Sequence, residues 1–164
     1  MIVVADASPL IFLGKIKQLD VINKLYGPDI RIPQSVVEEL LTKDTDLMEK
    51  DRLGVFLARS RVETIRRSRA FARAMSRADN EALTLAIRSK ADLLLCDEKL
   101  TRRMAEIEGI RPMGTLGVLL NAAQKALISA TEAKALLDQL IELHHFRISI
   151  PVYQAATRVL NDLP

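Results

Sequence analysis

Tryptophan is absent from this chain, cysteine occurs once, and aromatic side chains make up only 4% of its residues. The lone thiol, Cys96, excludes an internal disulfide and suits a reducing compartment. So few aromatics imply an aliphatic core, and they argue against base stacking on aromatic rings as a main binding mode. The two histidines, His144 and His145, are adjacent and would diverge on a helix. With a single cysteine they supply no zinc spacing. No apolar run approaches the ~20 residues that span a bilayer. The chain starts on a strand pattern rather than a basic leader segment, so a soluble, cytoplasmic protein with no membrane partner is expected. Repeats, low-complexity tracts and linkers are also missing, so residues 1–164 read as one domain. Lys and Arg total 24 against 21 Asp and Glu, a net charge of +3 that suits nucleic acid without requiring it.

What is present is an alternation of short apolar runs and helical patterns. Residues 2–5, 30–32, 92–96 and 110–113 read as strands, with a further short edge strand at 62–65. Ser8-Pro9 is read as the N-cap and first position of a helix, and Pro33 opens another that carries Val36, Val37, Leu40 and Leu41. Helical patterns follow from Asp79, over 98–107 and from Gly114-Thr115. A strongly amphipathic one covers 130–143, and a last one starts near Pro151. Strands alternating with helices predict an α/β fold with a parallel sheet between helical layers.

Two of the apolar runs end in an acid: Ile2 to Ala5 runs into Asp6, and Leu93 to Cys96 runs into Asp97. In an open α/β sheet the crevice beyond the carboxyl ends of the strands is the ligand site. If the two strands are neighbours, two carboxylates meet there and each raises the pKa of the other. A hard divalent cation would hold such a cluster ionised. Glu39, on the helix opened by Pro33, and Asp79, in the first turn of its helix, could join them. The plainer readings, a solvated surface residue for Glu39 and a simple cap for Asp79, come first for these two. Hard oxygen donors without a His or Cys set point to Mg²⁺ or Mn²⁺, and carboxylate-held ions activate water for phosphodiester hydrolysis. Ser8 and Thr115 could orient site acids from helix starts, or serve only as caps.

The segments Val4 to Leu10 and Ile32 to Leu40 resemble those of the PIN domain family. Three further segments narrow the likeness: Ala78 to Leu83, Leu95 to Arg103, and Gly114 to Leu120. Their order is similar to the DUF3368 branch of PIN proteins, relatives of the VapC toxins. The resemblance implies a three-layer α/β/α PIN-like fold with a central parallel sheet. It also implies a Mg²⁺- or Mn²⁺-dependent endoribonuclease acting on RNA as the toxin of a type II toxin–antitoxin pair, with a cognate antitoxin and a homodimeric state. Carried over by position, Asp6 and Asp97 match the metal-binding acids and Glu39 the glutamate of the Val-x-x-Glu element. Asp79 matches the third acid, with Ala78-Asp79 replacing a Gly-Glu pair. The shorter side chain leaves open whether Asp79 or Glu81 is that third acid. Glu98 matches a supporting acid, and Arg102 a basic position of the branch.

Arg66, Arg69, Arg73 and Arg77 recur at near-helical spacing and form the densest positive stretch. They are candidates for holding an RNA backbone, or form a solvated helix face. Cys96, one residue before Asp97, is expected to face the core. The homodimer surface is expected on the 130–143 helix or the 47–57 region. Two other functions stay in play: a PIN-fold RNA-binding module without effective metal binding, and a structure-specific DNA nuclease. Metal titration separates the first from the enzyme, and competition between single-stranded RNA and flap DNA separates the second.

Overall fold

A computed structural model describes residues 1–42 and 45–163. Five short strands form one parallel sheet: β1 (Val3–Ala5), β2 (Ile30–Pro33), β3 (Arg61–Glu63), β4 (Leu93–Leu95) and β5 (Arg111–Met113), in the order β3-β2-β1-β4-β5. The chain winds outward from β1 in one direction through β2 and β3. It then returns to the other side of β1 for β4 and β5. The order therefore reverses between β1 and β4, the point at which open α/β sheets leave a crevice. The edge strand read at 62–65 lies at 61–63.

The strands are apolar on both faces because helices cover both. Leu93, Leu94 and Leu95 are all fully buried, each contributing roughly 2 kcal/mol of apolar burial. Val3, Ala5, Leu93 and Leu95 face the larger core, built by α1 (Ala7–Lys15), α2 (Asp20–Tyr26), α3 (Gln34–Leu40), α4 (Leu47–Ala58), α7 (Thr115–Gln124), α8 (Ala130–His144) and α9 (Ile150–Asn161). Val4, Leu94 and Cys96 face the smaller core under α5 (Arg77–Ser89) and α6 (Lys99–Ile107). The layers are those of a three-layer α/β/α fold. Cys96 is fully buried, and burial raises its thiol pKa. No helix among the described residues is long and apolar enough to cross a membrane.

Local chemistry shifts several helix starts from their expected positions. Helix α1 begins at Ala7, so its N-cap is Asp6 and not Ser8, because the chain turns from strand to helix within one residue. Pro9 consequently sits in the third helical position rather than the first. Helix α5 is capped by Ser76, whose hydroxyl accepts from the Asp79 amide at 3.0 Å, while Asp79 Oδ2 accepts from the Ser76 amide at 3.2 Å. Asp79 is thus the reciprocal partner in a capping box and not the cap itself.

The Arg-rich stretch before α5 is not helical, despite its spacing. Side chains of α5 hold it as irregular chain: the Arg69 amide donates to Thr84 Oγ1 at 3.0 Å and the Phe71 amide to Asn80 Oδ1 at 2.9 Å. Backbone donors captured in this way are lost to an intrahelical ladder. The stripe on α8 packs inward through Ala133, Leu137 and Leu140, against α7 and α9.

Candidate active site

Asp6 and Asp97 do lie at the ends of neighbouring strands, since Ala5 pairs with Leu95. The Asp6 amide continues the ladder by donating to the Leu95 carbonyl at 2.9 Å. That register sets Asp6 level with Cys96, one residue short of Asp97. A one-residue offset on a strand turns side chains to opposite faces. The two carboxylates line different cavities, Asp6 an acidic one and Asp97 a larger one, rather than the single cleft expected from the sequence.

The first cavity, of about 260 Å³, is acidic. Asp6, Glu39, Asp79 and Glu98 line it together with Ser8, Ser76 and Thr101. Among the described residues no Lys or Arg lines it. Asp6 is buried, with 4% of its surface exposed. Burial first, and then the Asp79 and Glu39 charges, push its pKa up to about 8, against a lowering interaction with the Ala7 amide. Glu39, at the rim, is raised by partial burial and by the Asp79 charge. Asp79 is fixed from three sides: Thr101 Oγ1 donates to its Oδ1 at 2.7 Å, and Ser76 donates from its amide and its hydroxyl to Oδ2.

Asp97 is seated differently. The Thr115 amide donates to its Oδ1 at 2.7 Å and the Thr115 hydroxyl to its Oδ2 at 2.7 Å. Burial raises its pKa, while these two bonds and the Arg102 charge oppose the rise. Thr115 is fully buried at the first position of α7, so its role is to clamp this acid. Gly114 is required beside it, because a Cβ there would lie 2.6 Å from Asp97 Oδ1. The glycine was legible only as a helix opener, and its contact with Asp97 had no signal in the chain. Arg102 Nη1 donates to the Cys96 carbonyl at 3.3 Å and stands beside the same carboxylate.

Of the two candidates for third acid, Asp79 is the one that faces Asp6. Glu81 is buried and turned away, with its Oε1 accepting from Arg77 Nε at 2.8 Å. Arg77 also lies 3.9 Å from Glu38, so it bridges α5 to α3. Arg69 is engaged as well, with Glu108 at 2.9 Å and the Phe71 ring beneath its guanidinium. Arg66 and Arg73 are exposed on the irregular stretch before α5.

The donors in the acidic cavity are all oxygen and mostly carboxylate, a set suited to a hard cation. The raised Asp6 pKa marks a group with no counter-charge beside it. No three acids, histidines or cysteines among the described residues converge on one point. A hard divalent ion can nevertheless bind through one or two carboxylates and keep several waters, so Asp6 and Asp79 are the pair that would hold one here.

An all-parallel sheet with carboxylates at its switch point defines an α/β protein with an acidic, oxygen-donor site. The chain belongs to the PIN domain family: the family model DUF3368, described as a PIN domain, matches residues 2–162. PIN domains are in general metal-dependent nucleases. Among solved structures the chain is similar to a PilT N-terminus domain protein, SSO1118, from the hyperthermophilic archaeon Sulfolobus solfataricus P2. The TM-score is 0.54 and the identity 16%, covering 90% of this chain and 100% of that one. At that identity the likeness is one of fold. No curated protein matches the sequence.

Proposed function

We propose that this protein is a Mg²⁺- or Mn²⁺-dependent endoribonuclease that hydrolyses RNA phosphodiesters, and that it is the toxin of a type II toxin–antitoxin pair. The observation that carries the reading is the buried Asp6 carboxyl among Asp79 and Glu39, in a cavity without a lining Lys or Arg. A divalent ion bound there would activate a water and neutralise charge on the scissile phosphate. Asp6 and Asp79 would hold it, with Thr101 and Ser76 keeping Asp79 in one orientation. Glu39 Oε, at the rim and with a raised pKa, is suited to accept a proton from the attacking water. Asp97, fixed by Thr115, would supply negative charge from the segment between β4 and α6. Arg102, Arg66 and Arg73 are suited to draw in the RNA backbone by charge.

The toxin role rests on family analogy. An antitoxin that inhibits the enzyme would cover the acidic cavity, with a guanidinium against its carboxylates. For the homodimer, the α8 stripe is already covered by the core, whereas Leu47, Met48 and Val55 of α4 are exposed. The test is Mg²⁺-dependent cleavage of single-stranded RNA by the purified protein, with flap DNA as competitor. Calorimetry with Mn²⁺ is run beside it. Cleavage lost in Asp6→Asn and in EDTA supports the reading, whereas cleavage that survives both would exclude it.

A second reading is favoured by the separation of Asp97 from the acidic cavity: a PIN-fold RNA-binding module without metal chemistry. It predicts RNA binding with no Mn²⁺ uptake near neutral pH.

A further inference from the structure

On the other side of the 97–102 segment from the acidic cavity lies a larger one, of about 430 Å³. Its rim is Asp97 and Arg102, its floor the end of β5 and the first turn of α7, and its far wall the 146–148 connection and Val152 of α9. Consecutive residues face opposite ways along this divide: Glu98 and Thr101 line the acidic cavity, and Asp97 and Arg102 the larger one. With neighbouring strands 4.7–4.9 Å apart, a site over β1 and one over β5 stand on the order of 10 Å from each other.

The floor is apolar and held in place. Met113 lies across Gly117, where a Cβ would come within 2.9 Å of its Cγ. Its sulfur accepts from Tyr26 Oη at 2.8 Å and from Asn121 Nδ2 at 3.3 Å. Leu116 and Ile148 complete the apolar surface. Two guanidinium groups flank it. Arg102 donates to the Cys96 carbonyl and stands beside Asp97 without a hydrogen bond to it, and Arg147 is exposed, so both keep donors free for a ligand. A fixed apolar floor edged by two such cations suits a ligand with a flat apolar body and an anionic group.

We propose that this cavity is a nucleotide subsite. It takes one nucleotide of a single-stranded RNA next to the one whose phosphate lies at the acidic cavity. The base rests on Met113, Leu116 and Ile148, and a phosphate is held by Arg102 and Arg147. The assignment rests on the ribonuclease reading and adds to it where the strand runs and what selects it. An acidic peptide could use the cations, but it would leave the apolar floor unmatched.

The test uses Arg147→Ala and Val152→Asp, two exposed positions whose replacement leaves the cores intact. Binding of a fluorescein-labelled single-stranded RNA octamer is measured in EDTA at 50 and 200 mM salt. Cleavage kinetics are followed separately in Mg²⁺. Arg147→Ala is expected to weaken binding roughly fivefold and to reduce the salt slope by about one. Val152→Asp is expected to weaken it by about tenfold, and in both variants KM rises by more than kcat falls. A wild-type protein that cleaves RNA, with both variants keeping its affinity and KM, overturns the subsite alone. A wild-type protein that neither binds nor cleaves RNA overturns the ribonuclease reading with it.

Discussion

Asp6 and Asp97 end adjacent strands of one sheet, yet their surroundings are opposite in kind. Asp97 is given what a buried carboxylate needs: an amide and a hydroxyl, each at 2.7 Å, and an arginine beside it. Asp6 has the Ala7 amide as its one lowering influence, and two carboxylates for neighbours. A buried acid surrounded by acids is destabilising to the apo fold, and it persists where a cation resolves the conflict. The contrast separates a carboxylate already satisfied by the protein from one completed by a ligand.

The largest effect expected from breaking this contrast is on catalysis. Asp6→Asn is expected to lower Mg²⁺-dependent RNA cleavage by roughly 100-fold or more, and Asp97→Asn by much less, since Thr115 and Arg102 already satisfy that carboxylate. Their stabilities should diverge, because Asp6→Asn raises the thermal midpoint of the metal-free protein and Asp97→Asn lowers it. Parallel melts of both variants check this, and equal shifts of the same sign would contradict the contrast.

The next effect is on pH dependence. The Asp6 pKa of about 8 lies well above the 3.8 of a free aspartate side chain. Between these values the folded chain keeps a proton that the unfolded chain has released. Stability of the metal-free protein should therefore fall as pH rises from about 4 to about 8, by up to about 1.4 kcal/mol per unit. Urea melts across this window read the slope. Asp6→Asn or saturating Mn²⁺ should flatten it, and a slope of the opposite sign would refute the assignment.

A smaller effect follows at the Asp97 seat. Gly114→Ala puts a Cβ against Asp97 Oδ1 and should destabilise the fold by about 2 kcal/mol, measured by denaturant titration. The smallest effect belongs to the acidic cavity. Thr101→Val removes the bond to Asp79 Oδ1 and should cost about 1 kcal/mol. It should also weaken Mn²⁺ binding by roughly tenfold in calorimetry.

Much of this architecture was legible in the chain. The strand runs and helical stripes predicted the parallel sheet between helices, and the runs ending in Asp6 and Asp97 predicted acids at the carboxyl ends of two of its strands. What was not legible was the direction in which each acid points. That depends on register: Ala5 pairs with Leu95, which leaves Asp97 one residue beyond Asp6, and no local pattern encodes such an offset. The Arg spacing before α5 misled for a related reason, since Asn80 and Thr84 take the backbone amides a helix would have used. Ser8 was misplaced as a cap because the strand-to-helix turn at Asp6 is tighter than Ser-Pro chemistry alone suggests.

Cys96 gives the sheet an internal reporter. It lies level with Asp6, is fully buried, and its thiol is held protonated by burial. A thiol reagent can reach the sulfur only when the layers over β4 part, so its rate of modification counts those openings. A slower rate with Mn²⁺ present would report how firmly an ion bound next door holds the sheet and its helices together.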